Sequence, residues 1–243
     1  MLLLAVESAT DAAGVAVVDD AGLLAAVDSG RRRRHAEELA PAVEFVCASA
    51  GVEMAALTAL AVDVGPGLFT GLRVGIGTVK ALALALELPI AVATSLEVLA
   101  HAVAGAGMAP GTAVVPVVDA RRGEVFSAPF EVKGGQAIQL GEDSIGPPDA
   151  LAETLAALGR PCVLAGDGAL RHAALFSAID GVELAGEAFA HPPVTVLAAL
   201  GRDRVAAGAV QAEGSVTARY LRGADVRIGW ETRQTRPAPG AGA

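Results

Sequence analysis

Glu7, Asp63, Asp119 and Asp167 each sit where a short apolar run gives way to a turn. Carboxylates at strand ends are what an ATP-dependent small-molecule kinase would place in its cleft. Asp63, Asp119 and Asp167 are the candidates for its catalytic carboxylate. Beside Asp63 runs Gly65-Pro66-Gly67-Leu68-Phe69-Thr70-Gly71-Leu72-Arg73-Val74-Gly75-Ile76-Gly77. A glycine loop that opens a helix offers free N–H groups to an anion. However, the run has no Gly-Lys-Ser/Thr ending and no Gly-x-Gly-x-x-Gly spacing directly after the strand. The turn Glu7-Ser8-Ala9-Thr10 could cradle a phosphate with its backbone and hydroxyls, although a plain hairpin turn is the simpler account. Val163-Leu164-Ala165-Gly166-Asp167-Gly168-Ala169 forms a second strand–glycine turn, and Asp119-Ala120-Arg121-Arg122-Gly123-Glu124 is expected as a charge-paired hairpin.

Other chemistry is limited by spacing. His35, His101, His172 and His191 include no two that are three to five residues apart, so a helical metal-binding pair is missing. No Gly-x-Ser-x-Gly elbow occurs. Cys47 and Cys162, the only cysteines, lie in apolar surroundings and are expected as reduced core thiols of a cytoplasmic protein. Arg31, Arg32, Arg33 and Arg34 precede a helix start, where the macrodipole opposes them. Together with Glu7 and Arg73 they are the candidates for contact with a nucleotide or an RNA phosphate.

The elements that must hold these groups follow from periodicity. Residues 2–6, 14–18 and 23–27 are apolar runs joined by polar turns, which predicts a β-meander. Residues 35–50 have helical spacing. Residues 59–64 predict a strand, and the glycine run leads into a helix ended by Pro89. A strand at 90–93 and a helix at 95–104, with Ser95 as cap, complete the first part. After a Gly/Pro-rich boundary at 105–111, strands are predicted at 113–118 and 125–130, followed by a polar, variable middle at 133–148. A helix at 151–158, a strand at 162–165 and a helix at 194–207 follow. Mixed sheets flanked by helices in two lobes fit this order. The expected division is 1–104, 105–232 with its last helix packing back on the first lobe, and a disordered tail at 233–243.

The helix behind the glycine run has only one narrow polar stripe, Arg73, Lys80 and Glu87. An ordinary surface helix is apolar over one face only, so this one is expected to bury its outer side against another protein. The glycines at 71, 75 and 77 would leave its first turns bare for a partner helix. The expected docking face comprises His35, Glu38, Leu39, Ala42, Val43 and Val46 on the earlier helix, with Thr70, Gly71, Arg73, Val74, Gly77, Thr78 and Ala81 on the later one.

Composition narrows the classes further. The chain has 243 residues, 53% of them hydrophobic and 19% charged, with net charge −9. Disorder is excluded for most of it, and so is a protein that grips nucleic acid unaided, which needs a basic face. No stretch of about 20 residues is expected to be apolar and charge-free enough for a membrane span.

The glycine run closely resembles the signature of the TsaB (YeaZ) family. Ala5-Val6-Glu7-Ser8-Ala9-Thr10, His35-Ala36-Glu37-Glu38-Leu39-Ala40-Pro41, Val117-Val118-Asp119-Ala120-Arg121-Arg122-Gly123-Glu124-Val125, Gly166-Asp167-Gly168-Ala169 and Tyr220-Leu221-Arg222 extend the match in order over nearly the whole chain. The resemblance implies a two-lobed fold of the actin/Hsp70/sugar-kinase class. It also implies a noncatalytic subunit for N6-threonylcarbamoyladenosine formation at position 37 of ANN-decoding tRNAs. Such a subunit pairs with its catalytic paralogue TsaD through the two helices and joins the ATPase TsaE. It meets tRNA only within that complex and self-associates when alone. It has no intrinsic cofactor or metal, with ATP or ADP expected at most at the complex interface. Glu7 stands where the family usually has Asp, Leu68 where it has a smaller residue or proline, and Ala218 where proline is common.

Overall fold

The computed structural model describes residues 1–29 and 35–221. Short, nearly continuous apolar runs build its first sheet. β1 (Leu2–Glu7), β2 (Ala13–Asp19) and β3 (Leu23–Ser29) form an antiparallel meander. After α1 (His35–Ala50), β4 (Ala59–Asp63) enters parallel to β1. α2 (Phe69–Leu86) then returns the chain to β5 (Ile90–Ala93), giving the order β3-β2-β1-β4-β5. Successive side chains alternate between faces. Leu4, Val6, Val15, Val17, Leu60 and Val62 therefore meet α1 and α2, while Leu3, Ala5, Ala16, Val18 and Ala61 face the opposite way. Each fully buried leucine of this kind contributes about 2 kcal/mol.

α3 (Ser95–Gly105) leads to the second sheet. There β6 (Ala113–Arg121) pairs antiparallel with β7 (Glu124–Ser127) and with β8 (Phe130–Lys133), which in turn pairs with β9 (Gln136–Gln139). β10 (Ser144–Gly146) flanks β7. α4 (Pro148–Leu158) precedes β11 (Cys162–Ala165), parallel to β6; α5 (Asp167–Arg171) and α6 (Ala173–Phe176) precede β12 (Val182–Leu184). The path β10-β7-β6-β11-β12 repeats the hairpin-then-parallel order of the first sheet. α7 (Val194–Ala206) crosses back and packs Val194, Leu197 and Ala198 against the free face of the first sheet.

Several expectations need correction. The strand predicted over 125–130 is broken at Ala128-Pro129, because proline cannot donate to the ladder; β7 ends and β8 starts anew. The variable middle contains β9 and β10, whose polar composition hid them. α2 ends at Leu86, not at Pro89: Glu87 adopts φ 56° and closes the helix by donating to the Ala83 carbonyl. Thr94, not Ser95, caps α3, with its hydroxyl oxygen accepting the Glu97 N–H at 3.1 Å. By length and mean hydropathy (1.4) α2 could also cross a membrane, since Arg73 and Lys80 alone do not lower the average enough. One side of it nevertheless packs Leu72, Ile76, Val79 and Ala83 into the core of the first lobe.

Candidate docking face and strand-end carboxylates

The glycine loop lies on the β1–β2 turn. Leu68 N–H donates to the Ala9 carbonyl at 2.7 Å. Ser8 Oγ donates to the Gly71 carbonyl at 2.9 Å. A Cβ on Gly75 would stand 2.1 Å from Ser8 Oγ. Gly75 is therefore bare because the β1–β2 turn of its own lobe presses on it, and not to admit a partner helix. Of the expected docking residues, Gly71, Leu39, Val43 and Val46 face inward and are buried, the three side chains within the core. A helix with 3.6 residues per turn cannot show all its apolar positions on one side. Glu38, Ala42, Val74 and Thr78 are half-buried, and Thr70, Arg73, Gly77 and Ala81 are exposed. Arg31, Arg32, Arg33 and Arg34 lie outside the described residues, as do residues 222–243, and His35 is placed only as the start of α1.

An outward stripe on α2 remains: Thr70, Val74, Gly77, Ala81 and Leu84, at the i, i+4, i+7 spacing of one helix face, with Leu84 69% exposed. Phe45, also exposed, stands on the neighbouring α1. At the N-terminal end of the stripe the Arg73 guanidinium lies 3.9 Å from the Phe69 ring centre, and Tyr220 packs against Phe69 with centroids 5.5 Å apart. Sequence reasoning gave Tyr220 no role here. It arrives on a C-terminal strap that crosses both lobes: Gln211 bridges Ile90, Lys80 donates to the Val216 carbonyl, and Arg219 N–H donates to the Val64 carbonyl. The Arg219 side chain pairs with the buried Asp143 of the second lobe at 2.8 Å. Contacts over such sequence separation leave no local signal.

Beneath the loop, Glu7 and Asp63 end the paired strands β1 and β4, each 2% exposed. Glu7 Oε1 accepts the Ala9 N–H at 2.8 Å. Asp63 Oδ1 accepts the Gly65 N–H at 2.6 Å and the Ser95 hydroxyl at 2.9 Å. Burial, with the Asp63 charge adding to it, raises Glu7 well above the usual carboxylate range; burial also raises Asp63, to about 6. Glu7 was a candidate for nucleotide or RNA contact, yet it is sealed beneath the loop.

The second lobe has the corresponding pair at the mouth of a cleft of about 400 Å³ lined in part by Asp11, Asp119, Arg121, Asp167, Arg171 and His191. Asp119 N–H donates to Asp167 Oδ1 at 2.9 Å. Asp119 Oδ2 accepts from Arg121 at 2.8 Å and from Arg171 at 2.9 Å. Arg121 also donates to Asp11 in the β1–β2 turn at 2.7 Å, so the expected hairpin is an inter-lobe link too. Arg121 and Arg122 hold φ of 62° and 55°, a region costly for residues with a Cβ, and the ion pairs help to hold this turn. Burial raises the Asp167 carboxyl.

Fold and site together define a two-lobed mixed α/β protein whose lobes repeat one sheet topology, with both carboxylate pairs engaged internally and an apolar helix face turned outward. A family model described as "TsaD: tRNA N6-adenosine threonylcarbamoyltransferase" matches residues 28–209. The tRNA threonylcarbamoyladenosine biosynthesis protein TsaB of Escherichia coli is 34% identical over 171 residues, covering 69% of this chain and 72% of that one. Its namesake from Bacillus subtilis is 28% identical over 95% of this chain and 98% of that one. The solved structure of YeaZ from Pseudomonas aeruginosa superposes with a TM-score of 0.76 at 27% identity, covering 90% and 99%. The chain belongs to the TsaB (YeaZ) family.

Proposed function

We propose that this chain is a noncatalytic subunit required to form N6-threonylcarbamoyladenosine at position 37 of ANN-decoding tRNAs. It docks through the α1–α2 face onto a catalytic TsaD subunit, holds that partner in its active state and works alongside the ATPase TsaE. The observation that carries this reading is the outward stripe of α2, apolar or small along its length and mostly exposed in the single chain, with Val74 half-buried against the core. An interface core is depleted in charge and enriched in aromatic residues and Arg, and the stripe ends in the Phe69–Arg73–Tyr220 cluster. A ligand or partner shifts a conformational equilibrium only by binding one state better, which is what a scaffolding subunit would do to its catalytic neighbour. In the absence of that neighbour the same face pairs two copies of this chain. The chain itself holds no cofactor; ATP or ADP belongs at the shared interface. tRNA is met only inside the complex, and the free buried thiols Cys47 and Cys162 suit a cytoplasmic location.

A small-molecule kinase of the same fold is the alternative. No relative supports it, and Asp63, Asp119 and Asp167 are all committed to internal partners. Reconstitution decides between the two. The purified chain is mixed with TsaD, TsaE, the threonylcarbamoyl-adenylate donor and unmodified tRNA, and each component is then omitted in turn. Modification should require both this chain and TsaD. Turnover of ATP or modification of tRNA by this chain alone would refute the noncatalytic reading. Val74→Glu should abolish the complex on size exclusion while leaving the monomer folded; an unaffected complex would move the docking face elsewhere.

A further inference from the structure

Two carboxyl groups that are both 2% exposed, each one residue past the paired Val6 and Val62 at the ends of neighbouring parallel strands, cannot both be ionised without a cation between them. Among the described residues no cation pairs with either. The charged groups that face them are of the same sign: Asp28 of β3 towards Glu7, and Glu97 of α3, itself paired with Arg204, towards Asp63. One oxygen of each carboxyl is used by the loop, Glu7 Oε1 on the Ala9 N–H and Asp63 Oδ1 on Gly65 and Ser95. The other oxygens, Glu7 Oε2 and Asp63 Oδ2, are buried and have no hydrogen-bond partner. A single proton between the carboxyls satisfies the pair: Glu7 as the acid donates to the Asp63 carboxylate. This assignment also suits the loop, because the ionised Asp63 is the stronger acceptor for the Gly65 N–H.

We infer that Glu7 and Asp63 share one proton at neutral pH and that this pair is a positioning unit for the docking face. Ala9, held by Glu7, receives the Leu68 N–H through its carbonyl, and Gly65 is held by Asp63. The pair thereby fixes both ends of the segment that presents Phe69. Its consequence for docking rests on the reading given above; the proton itself does not.

The full-length chain tests this by two measurements. First, infrared spectroscopy at pH 7 should show the carbonyl stretch of a buried protonated carboxylic acid, and Glu7→Gln should remove it. Second, the slope of folding stability against pH near neutrality should report about one proton held by the folded chain and not by the unfolded one, and this should vanish in Glu7→Gln. Complex formation with TsaD should survive in Glu7→Gln, whose amide keeps a donor towards Asp63. It should weaken by tenfold or more in Glu7→Ala. Val74→Glu should abolish docking and leave the infrared band in place, which separates failure of the docking reading from failure of this one. No protonated band in the wild type, or an unchanged band and slope in Glu7→Gln, would overturn the inference.

Discussion

The two lobes place a carboxylate pair at the same point in the same strand order and neutralise it differently. At the ends of β1 and β4, Glu7 and Asp63 are sealed from water and hold a proton. Along β6 and at the start of α5, Asp119 and Asp167 open onto a cleft, and two guanidiniums bracket Asp119. Backbone topology sets where the carboxylates fall, while access to solvent and the reach of long cationic side chains decide what balances them. A buried carboxylate without a counterion raises its pKa until it is neutral. One at a cleft mouth can borrow an arginine whose own charge stays partly hydrated.

The largest expected effect comes from the glycines that press the loops onto the strands. Gly166 has φ 114°, and a Cβ there would stand 2.2 Å from the Val117 carbonyl oxygen, a backbone atom that cannot turn aside. Strain and overpacking together predict that Gly166→Ala costs about 4 kcal/mol in denaturant unfolding. Gly75→Ala meets only the Ser8 hydroxyl, which can rotate away with loss of its bond to Gly71, and alanine adds helix propensity. A cost of about 1–2 kcal/mol is expected there. Equal costs would show that the α2 helix and the β11–α5 loop are pressed alike.

Salt separates the pairs at the next level. Arg121→Ala removes links to Asp119 and to Asp11 and should cost about 1–2 kcal/mol at low ionic strength. Arg171, 60% exposed, should cost under about 1 kcal/mol. Both losses should shrink in 1 M salt, where the Debye length is about 3 Å. Glu7→Gln should give a difference indifferent to salt. A salt-dependent Glu7→Gln effect would place a counterion beside the first pair.

The pH response has the opposite assignment. Asp63 is raised to about 6, so the folded state binds its proton more tightly than the unfolded state does. Its contribution to stability is then fully present below the unfolded value near 4 and is lost as pH rises through about 6. Asp63→Asn should flatten that part of the stability profile, as read by denaturant melts at half-unit intervals. A profile that keeps its slope in Asp63→Asn would assign the titration to Glu7 or Asp167, both of which burial also raises.

How much of this could be read from the residues differs between the lobes for a physical reason. The first sheet has apolar runs distinct enough to fix β1, β2 and β4 within about a residue and β3 within about two, because helices cover both faces of its central strands. β9 and β10 were missed because they are short and mostly exposed, and α5 and α6 because five and four residues carry no helical period. The carboxylates were visible as types at strand ends. That Glu7 is sealed and Asp119 is clamped was not, since Arg171 lies 52 residues from Asp119 and Arg121 lies 110 from Asp11. The docking helices were legible, but which of their apolar residues point outward depends on the sheet beneath them.

The asymmetry also explains why the proposed docking face belongs to one lobe. Between β4 and β5 the chain builds an 18-residue helix with an outward apolar stripe; between β11 and β12 the equivalent segment is split into α5 and α6, with Phe176 fully buried. Only the first lobe thus presents a continuous face at this position, and the strap brings Tyr220 to its end. Aromatic packing and an exposed cation–π contact are each worth about 1 kcal/mol, so Tyr220→Ala should change monomer stability by no more than that. At an interface, Tyr and Arg are the types that carry binding energy. The same variant should therefore weaken the complex with TsaD tenfold or more by titration calorimetry, and Phe45→Ala on the other helix should act in the same direction. A Tyr220→Ala chain that binds as tightly as the wild type would confine docking to the helix stripe and leave the strap with the sole task of joining the lobes.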